Sequence, residues 1–152
     1  MQKVSLIVLC SLLLCMPALV RADGGGGNES TSNTPEARMS YEKAYGYLKA
    51  GQYREAIQAF QQVLEAEPKN AMAYNNLAYS YRKLGKYKRA IKLYETALDI
   101  DPNLAEAHEY MGEALLALGR VDEAEKHLAI LERLNPQLAE ELRGEIARHK
   151  RS

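Results

Sequence analysis

The sequence predicts an all-α fold: a right-handed α-solenoid of three helix–turn–helix units, closed by a C-terminal capping helix. Two observations carry this prediction. Five columns of residues recur at a spacing of 34, the prolines Pro68, Pro102 and Pro136 among them. Within each repeat, apolar residues recur at steps of three and four, which is the period of a helix. A repeat of this length made of helical segments indicates stacked helix pairs that share one continuous core.

The other four columns hold glycine, alanine or large side chains in the same register. They are Gly51, Gly85 and Gly119; Ala56, Ala90 and Ala124; Phe60, Tyr94 and Leu128; and Tyr47, Tyr81 and Leu115. Each glycine is predicted to end the first helix of its unit, because a positive φ closes a helix and glycine adopts it without strain. Small residues at Ala44, Ala78 and Gly112 let the paired helices approach closely.

Seven helices are expected. They cover 36–49, 53–66, 71–84, 87–100, 105–118, 121–134 and about 137–149. Asp101-Pro102 and Asn135-Pro136 are each expected to place a capping residue before a first helical proline. The last helix carries Leu138, Leu142 and Ile146 on one side and charged residues on the other. Such a helix seals the open end of a solenoid.

Composition excludes several classes of protein. The chain of 152 residues has 20 basic and 20 acidic side chains, and 47% of its residues are apolar. These values exclude a strongly basic nucleic-acid binder and a disulfide-dense miniprotein. With ten tyrosines, one phenylalanine and no tryptophan, nearly every aromatic ring carries a hydroxyl group.

Residues 1–22 are predicted to be a secretory signal peptide. A positive start precedes an apolar run from Val4 to Val20, and cleavage is predicted after Ala22. An uncleaved membrane anchor is the alternative. Residues 23–35 contain four glycines but lack the strand, helix and Lys-Ser/Thr pair of a phosphate loop, so they are interpreted as a flexible linker.

Both cysteines of the chain, Cys10 and Cys15, lie in the predicted signal peptide. Three leucines precede Cys15, whereas a lipoprotein signal needs small residues there, so lipidation is only a minor alternative. A chain cut after Ala22 contains no thiolate for a metal site or a nucleophile.

The most complete repeat pattern lies in Ala71–Leu104. Its first helix carries Tyr74, Leu77, Ala78 and Tyr81, and its second carries Ala90, Tyr94, Ala97 and Pro102. These residues resemble the tetratricopeptide repeat (TPR) family. The resemblance implies three TPR units, 37–70, 71–104 and 105–137, followed by a cap at 137–149. In the first unit, Ser40 and Lys43 stand where that family usually has large apolar residues.

In TPR proteins, the second, fifth, ninth and twelfth positions of each unit commonly face a concave groove. These steps also place the residues on one helix face. With two neighbours, Asn76 and Tyr110, the groove positions are Arg38, Tyr41, Tyr45, Leu48, Met72, Asn75, Tyr79, Arg82, Glu106, Glu109, Glu113 and Leu116.

Residue types in the groove suggest how a partner binds. Tyrosines are good interface anchors, and asparagines can bond to a peptide backbone. The alternative is that the tyrosines only pack against neighbouring helices. Because Arg38 and Arg82 lie towards one end and the glutamates of the third unit towards the other, a basic part of the partner is predicted over the third unit.

Some TPR domains hold a C-terminal carboxylate through lysine, asparagine and arginine side chains. The matching positions here are Tyr41, Tyr45, Asn76, Glu106 and Tyr110. Only Asn76 fits that pattern, and Glu106 has the wrong charge. The resemblance therefore does not extend to chaperone-tail receptors of that kind.

The sequence contains no recognisable catalytic or metal-binding set. His108, His127 and His149 fall in different predicted helices, and His108 occupies a packing column. Neither His-Glu-x-x-His nor Gly-x-Ser-x-Gly occurs. We therefore expect no enzymatic activity, cofactor or metal.

We expect a protein–protein interaction module, an adaptor or assembly factor of the cell envelope or periplasm, that binds a protein or peptide segment and no nucleic acid. The alternatives are a self-associating structural scaffold and a membrane-tethered module that retains residues 1–22. An enzyme or carrier of a small ligand is a further alternative, which turnover in a substrate screen would reveal.

Overall fold

Seven helices make up residues 35–151, the part of the chain that the computed structural model describes. They are α1 (Pro35–Lys49), α2 (Tyr53–Ala66), α3 (Ala71–Lys83), α4 (Tyr87–Ile100), α5 (Ala105–Leu116), α6 (Val121–Leu134) and α7 (Pro136–His149). The predicted all-α fold is confirmed, and every helix lies within two residues of its predicted ends. The predicted signal peptide and residues 23–34 of the predicted linker lie outside the described residues, and Pro35 belongs to α1.

The helices form two rows, and the helices of one row lie closer to one another than those of the other row. Each helix packs against the next one along the chain, and the odd-numbered helices also pack against one another in turn, from α1 to α7. Contacts of that extent do not join α2, α4 and α6. A layer whose members touch on one side and separate on the other curves towards the touching side. The first helices of the units and α7 therefore line the concave face.

Glycine ends the first helix of each unit as predicted. Gly51, Gly85 and Gly119 have φ values of 72°, 71° and 72°. In each case the next residue donates its N–H back across the turn, as Lys86 does to the carbonyl oxygen of Tyr81 at 2.9 Å. This Schellman geometry satisfies a carbonyl group that the helix end leaves open.

One of the two predicted proline caps is wrong. Asn135 caps α7, accepting hydrogen bonds from the backbone N–H groups of Gln137 and Leu138, and Pro136 is the first helical residue. Asp101 instead ends α4, and its side chain accepts from the N–H of Asn103 at 3.0 Å. The chain makes a turn there that buries Leu104 before α5 begins at Ala105.

Helix α7 approaches α5 unusually closely. Gly112 stands on α5 where the earlier units have Ala44 and Ala78, and a β-carbon added to it would lie 2.7 Å from Cδ2 of Leu142. The Leu142 side chain is fully buried, as predicted for the apolar stripe of the cap. This contact fixes α7 beside the last unit and brings the polar edge of α7 to the concave face.

Candidate functional site

The predicted groove residues lie on α1, α3 and α5, the helices of the concave face, but they differ in accessibility. The exposed ones are Arg38, Tyr45, Met72 and Glu106. The half-buried ones are Tyr41, Leu48, Tyr79, Arg82, Tyr110 and Glu113. The buried ones are Asn75, Asn76, Glu109 and Leu116.

Tyrosine rings form the wall of the groove at α1. Tyr41 stacks on Tyr45 with ring centroids 6.4 Å apart and meets the buried ring of Phe60 edge-on at 5.7 Å. Asn76 donates a hydrogen bond from Nδ2 to the Tyr41 hydroxyl at 2.7 Å. Burial raises the pKa of Tyr41 above its ordinary value, with the neighbouring Tyr45 adding to the effect. Tyr41 and Asn76 thus hold each other in place, and Tyr45 keeps 39% of its surface exposed.

Arg82 lies at the centre of the groove between two tyrosines. Its guanidinium carbon is 4.9 Å from the ring centroid of Tyr79 and 5.1 Å from that of Tyr110. The guanidinium also forms an ion pair with Glu113, and the side chains of this pair are 15% and 29% exposed. The predicted separation of basic and acidic groups along the groove therefore does not form here, because Arg82 reaches across from α3 to α5.

Three buried side-chain atoms lack a hydrogen bond of regular geometry. Within residues 35–151 they are Oδ1 of Asn75, Nε of Arg82 and the hydroxyl oxygen of Tyr94. Burial raises the pKa of Tyr94 far above its ordinary value, against the charge of Arg82, so the hydroxyl stays protonated. The sequence assigned Tyr94 to packing only. One feature of the sequence could have indicated a polar role for Tyr94. It carries the only hydroxyl in a repeat column otherwise filled by Phe60 and Leu128.

The C-terminal part of the groove is acidic. Glu109 is only 6% exposed, and burial, reinforced by the charges of Glu113 and Glu141, raises its pKa from 4.5 to about 7. Glu141 of α7 contributes to this shift both through its charge and as a hydrogen-bonding neighbour, and both effects raise the pKa of Glu109. Burial also raises the pKa of Glu113, where Arg82 acts against the shift and Glu145 adds to it.

Sequence reasoning did not assign Glu141 and Glu145 to the groove but to the charged back of the cap. Each directly precedes a core residue of α7, Leu142 or Ile146. A helix turns by about 100° per residue, so these carboxylates lie at the edge of the buried stripe rather than opposite it. Their position next to core residues could therefore have predicted that they lie at the edge of the groove.

A histidine pair lies outside the groove, between α5 and α6. Nδ1 of His108 is 2.9 Å from Nδ1 of His127, and Nε2 of His108 is 2.9 Å from the carbonyl oxygen of Pro102. His108 therefore donates to Pro102 and accepts from His127. Burial, followed by the influence of His108, lowers the pKa of His127 to about 4. His108 is 4% exposed, which confirms its predicted packing role.

The described residues show neither a cluster of metal ligands nor a membrane-spanning helix. Between Pro35 and Arg151 no three or more histidine, cysteine, aspartate or glutamate side chains converge as a metal site would need. In the same stretch no helix is long and apolar enough to cross a bilayer.

Two family models of the tetratricopeptide repeat match the chain, one at residues 41–105 and the other at residues 81–146. No protein of curated function matches it by sequence. Many solved structures share its fold.

The first TPR domain of Spaghetti (RPAP3), bound to the HSP90 peptide SRMEEVD, is 28% identical with a TM-score of 0.70, and the match covers 79% of this chain and 97% of that one. The first TPR domain of human RPAP3, solved by NMR, is 29% identical with a TM-score of 0.68 and coverage of 74% and 91%. A type III secretion complex from Aeromonas hydrophila is 22% identical with a TM-score of 0.72 and coverage of 78% and 83%, which shows likeness of fold alone.

Proposed function

We propose that this chain, which belongs to the tetratricopeptide repeat family, binds a segment of another protein in its concave groove and acts without catalysis. The observation that carries the proposal is the row of tyrosines along that groove. Tyr45 is exposed and Tyr79 half-buried. Aromatic side chains with a hydroxyl tip contribute large contact area at low entropic cost. The similar domain of Spaghetti is bound to a peptide.

The proposed ligand is a segment with a basic part rather than an acidic chain terminus. At the positions where some TPR domains hold a terminal carboxylate, this groove offers tyrosines and Glu106, and Asn76 is engaged by Tyr41. The α5 and α7 side of the groove adds the carboxylates of Glu109 and Glu141. Like charges would repel an acidic tail from this side and attract a cationic segment.

The proposed setting is the cell envelope or periplasm, where the chain would be an adaptor or assembly factor. This part of the proposal is supported by the signal-like pattern of residues 1–22 in the sequence. Determining the N-terminal residue of the purified protein tests it: Asp23 is expected after cleavage. An intact Met1 in a membrane fraction would favour the tethered alternative.

Affinity capture from envelope extract tests binding in the groove. The bait is the chain from residue 23 to residue 152, compared with Tyr45→Ala and with Tyr45→Ala/Tyr79→Ala. Ile100→Ala is the matched control, because Ile100 lies on α4, outside the concave row, and is as exposed as Tyr45, at 37% against 39%. We expect a protein that the parent and the control capture and that both tyrosine variants lose. Equal capture by all four baits would contradict groove binding.

Thermal unfolding of each bait separates loss of binding from loss of folding. Tyr45 is exposed, so its single variant should unfold at the parent's temperature. If the parent captures only further copies of itself, the scaffold alternative replaces the adaptor.

A further inference from the structure

We infer that Glu109 and Glu141 together form a subsite for one lysine or arginine side chain of the bound segment. This inference deepens the proposed function and rests on it. It names the groups of the groove that recognise the basic part of the segment. It also implies that binding of this part is coupled to the release of a proton.

The geometry sets two short rows of carboxylates side by side. Glu109 and Glu113 are four residues apart on α5, and Glu141 and Glu145 are four residues apart on α7. Residues with this spacing lie on one helix face, one above the other. The close approach of Gly112 to Leu142 holds the two helices together. The rows therefore meet along the seam where α7 joins the concave face.

Only one end of this seam has its charge compensated. Arg82 pairs with Glu113, and Arg148 pairs with Glu145. Among the described residues, no ion pair reaches Glu109 or Glu141. The charged groups acting on Glu109 are Glu113 from α5, Glu141 from α7 and Arg82 from α3, and Arg82 has the weakest influence. A cation is the group that this end of the seam lacks.

A buried acceptor on α3, the helix that packs against the other side of α5, lacks a donor. Oδ1 of Asn75 has no hydrogen-bond partner, and the residue is 2% exposed. Asn75 occupies on α3 the repeat position that Glu109 occupies on α5, and these two helices pack against each other. Both side chains therefore leave their helices towards the concave face. An ammonium or guanidinium group has several N–H donors, enough for both carboxylates and this amide oxygen.

The seam is open to the outside at its other end. A cleft of about 480 Å³ is lined by residues that include Arg82, Glu113, Glu145 and Arg148. Because Glu141 is exposed, a long cationic side chain can approach the pair from solvent. The cleft at the compensated end is lined by Arg82 and Arg148 and is not part of the subsite.

Proton coupling follows from the state of the pair. Because burial and its acidic neighbours raise the pKa of Glu109 to about 7, this carboxyl group holds a proton below neutrality and loses it above. A cation must displace that proton, so its affinity should rise with pH. With such a pKa, the rise between pH 6 and pH 8 is about tenfold.

Carbon-detected NMR of the Glu109 carboxyl group in the chain from residue 23 to residue 152 tests this directly. The pH titration is repeated with a nonapeptide of alternating serine and arginine, and with the same peptide carrying citrulline, which is neutral, in place of arginine. We expect the arginine peptide to lower the pKa of Glu109 and to bind about ten times more tightly at pH 8 than at pH 6. The citrulline peptide should leave the pKa unchanged.

Glu141→Gln should lower the pKa of Glu109 without peptide and abolish the effect of the arginine peptide. Glu65→Gln, which removes an exposed charge from α2, should change neither result. Equal effects of the two peptides, no binding of either, or an unchanged response in Glu141→Gln would overturn the subsite.

Failure of the subsite and failure of the groove remain distinguishable. Capture that depends on Tyr45 but survives Glu141→Gln keeps the groove and removes the subsite. A response to arginine without tyrosine-dependent capture supports the cation site and removes the proposed function.

Discussion

In the α1 and α3 half of the groove, the polar inward residues are tyrosine, asparagine and arginine, whereas in the α5 and α7 half they are mainly glutamate. The backbone frame is the same in both halves, since each unit turns at a glycine with positive φ. Packing constrains the residues buried between the helices, whereas the residues that face the groove can differ from unit to unit. The repeat therefore determines the scaffold, and the inward residues determine what each half can bind.

The two ends of the solenoid differ in the same way. Helix α1 buries only Ala44, and Met39 is 71% exposed on it. Helix α7 buries Ala139, Leu142 and Ile146. The C-terminal half is therefore held by its cap, whereas the N-terminal half depends on α2 and on the contacts of α1 and α2 with α3.

Removing the main anchor of the cap should have the largest effect. Leu142→Ala leaves a cavity at a fully buried site and should lower the free energy of unfolding by about 3 kcal/mol. Met39→Ala, at the opposite end, should change it by less than about 0.5 kcal/mol. Urea unfolding measures both. Equal effects of the two substitutions would mean that α7 does not stabilise its half of the chain.

Breaking the central ion pair should have the next largest effect. Arg82→Ala removes the partner of Glu113 and a cation from between two tyrosine rings, which should cost about 2 kcal/mol. Glu113→Gln in the same background should recover part of the loss, because no unpaired carboxylate then remains. A double-mutant cycle by urea unfolding measures the coupling. Strictly additive effects would show that the two side chains do not interact in solution.

Substitution of the turn glycines should lower the free energy of unfolding equally in both halves of the solenoid. Gly51→Ala and Gly119→Ala each place a side chain at a positive φ, at a cost of about 1 to 2 kcal/mol. Gly46→Ala is the control: Gly46 lies within α1 with open space around its α-carbon, so alanine should stabilise the helix slightly. A cost at only one of the two turns would contradict a shared frame.

The smallest expected effect is on the pH dependence of the free energy of unfolding. It reports on one carboxyl group, that of Glu109. The folded pKa of Glu109 lies above its unfolded value, so its proton stabilises the fold at low pH, and this contribution is lost as pH rises from 4.5 to about 7. The lowered pKa of His127 acts oppositely, since its contribution is lost as pH falls from 6.5 to about 4. Comparing Glu109→Gln with the parent isolates the first contribution. The stability of the parent relative to the variant should fall between pH 5 and pH 8, and a constant difference would contradict the assigned pKa.

Helix positions could be predicted because the repeat columns specify them locally. A glycine such as Gly85 ends a helix through its own backbone, and an alanine such as Ala90 marks a close contact wherever it recurs. The cap at Asp101 was mispredicted because an aspartate before a proline can close a turn as well as begin a helix, and the burial of Leu104 decides between them.

Side-chain partnerships between helices could not be predicted in the same way. The pairing of Arg82 with Glu113 depends on the reach of a long side chain across two units. The meeting of Glu109 and Glu141 depends on how α7 rotates against α5, which the contact of Gly112 with Leu142 sets. The 34-residue period specifies neither of these, because α7 begins three residues earlier in the repeat than α3 and α5 do.

The most direct test of the central claim is site-specific photocrosslinking in envelope extract. One photoreactive residue is placed at position 45, in the groove, and in a second protein at position 100, on α4. We expect the groove position alone to capture a partner, and the crosslinked segment of that partner to carry lysine or arginine. The same partner crosslinked equally from both positions, or only from position 100, would contradict it.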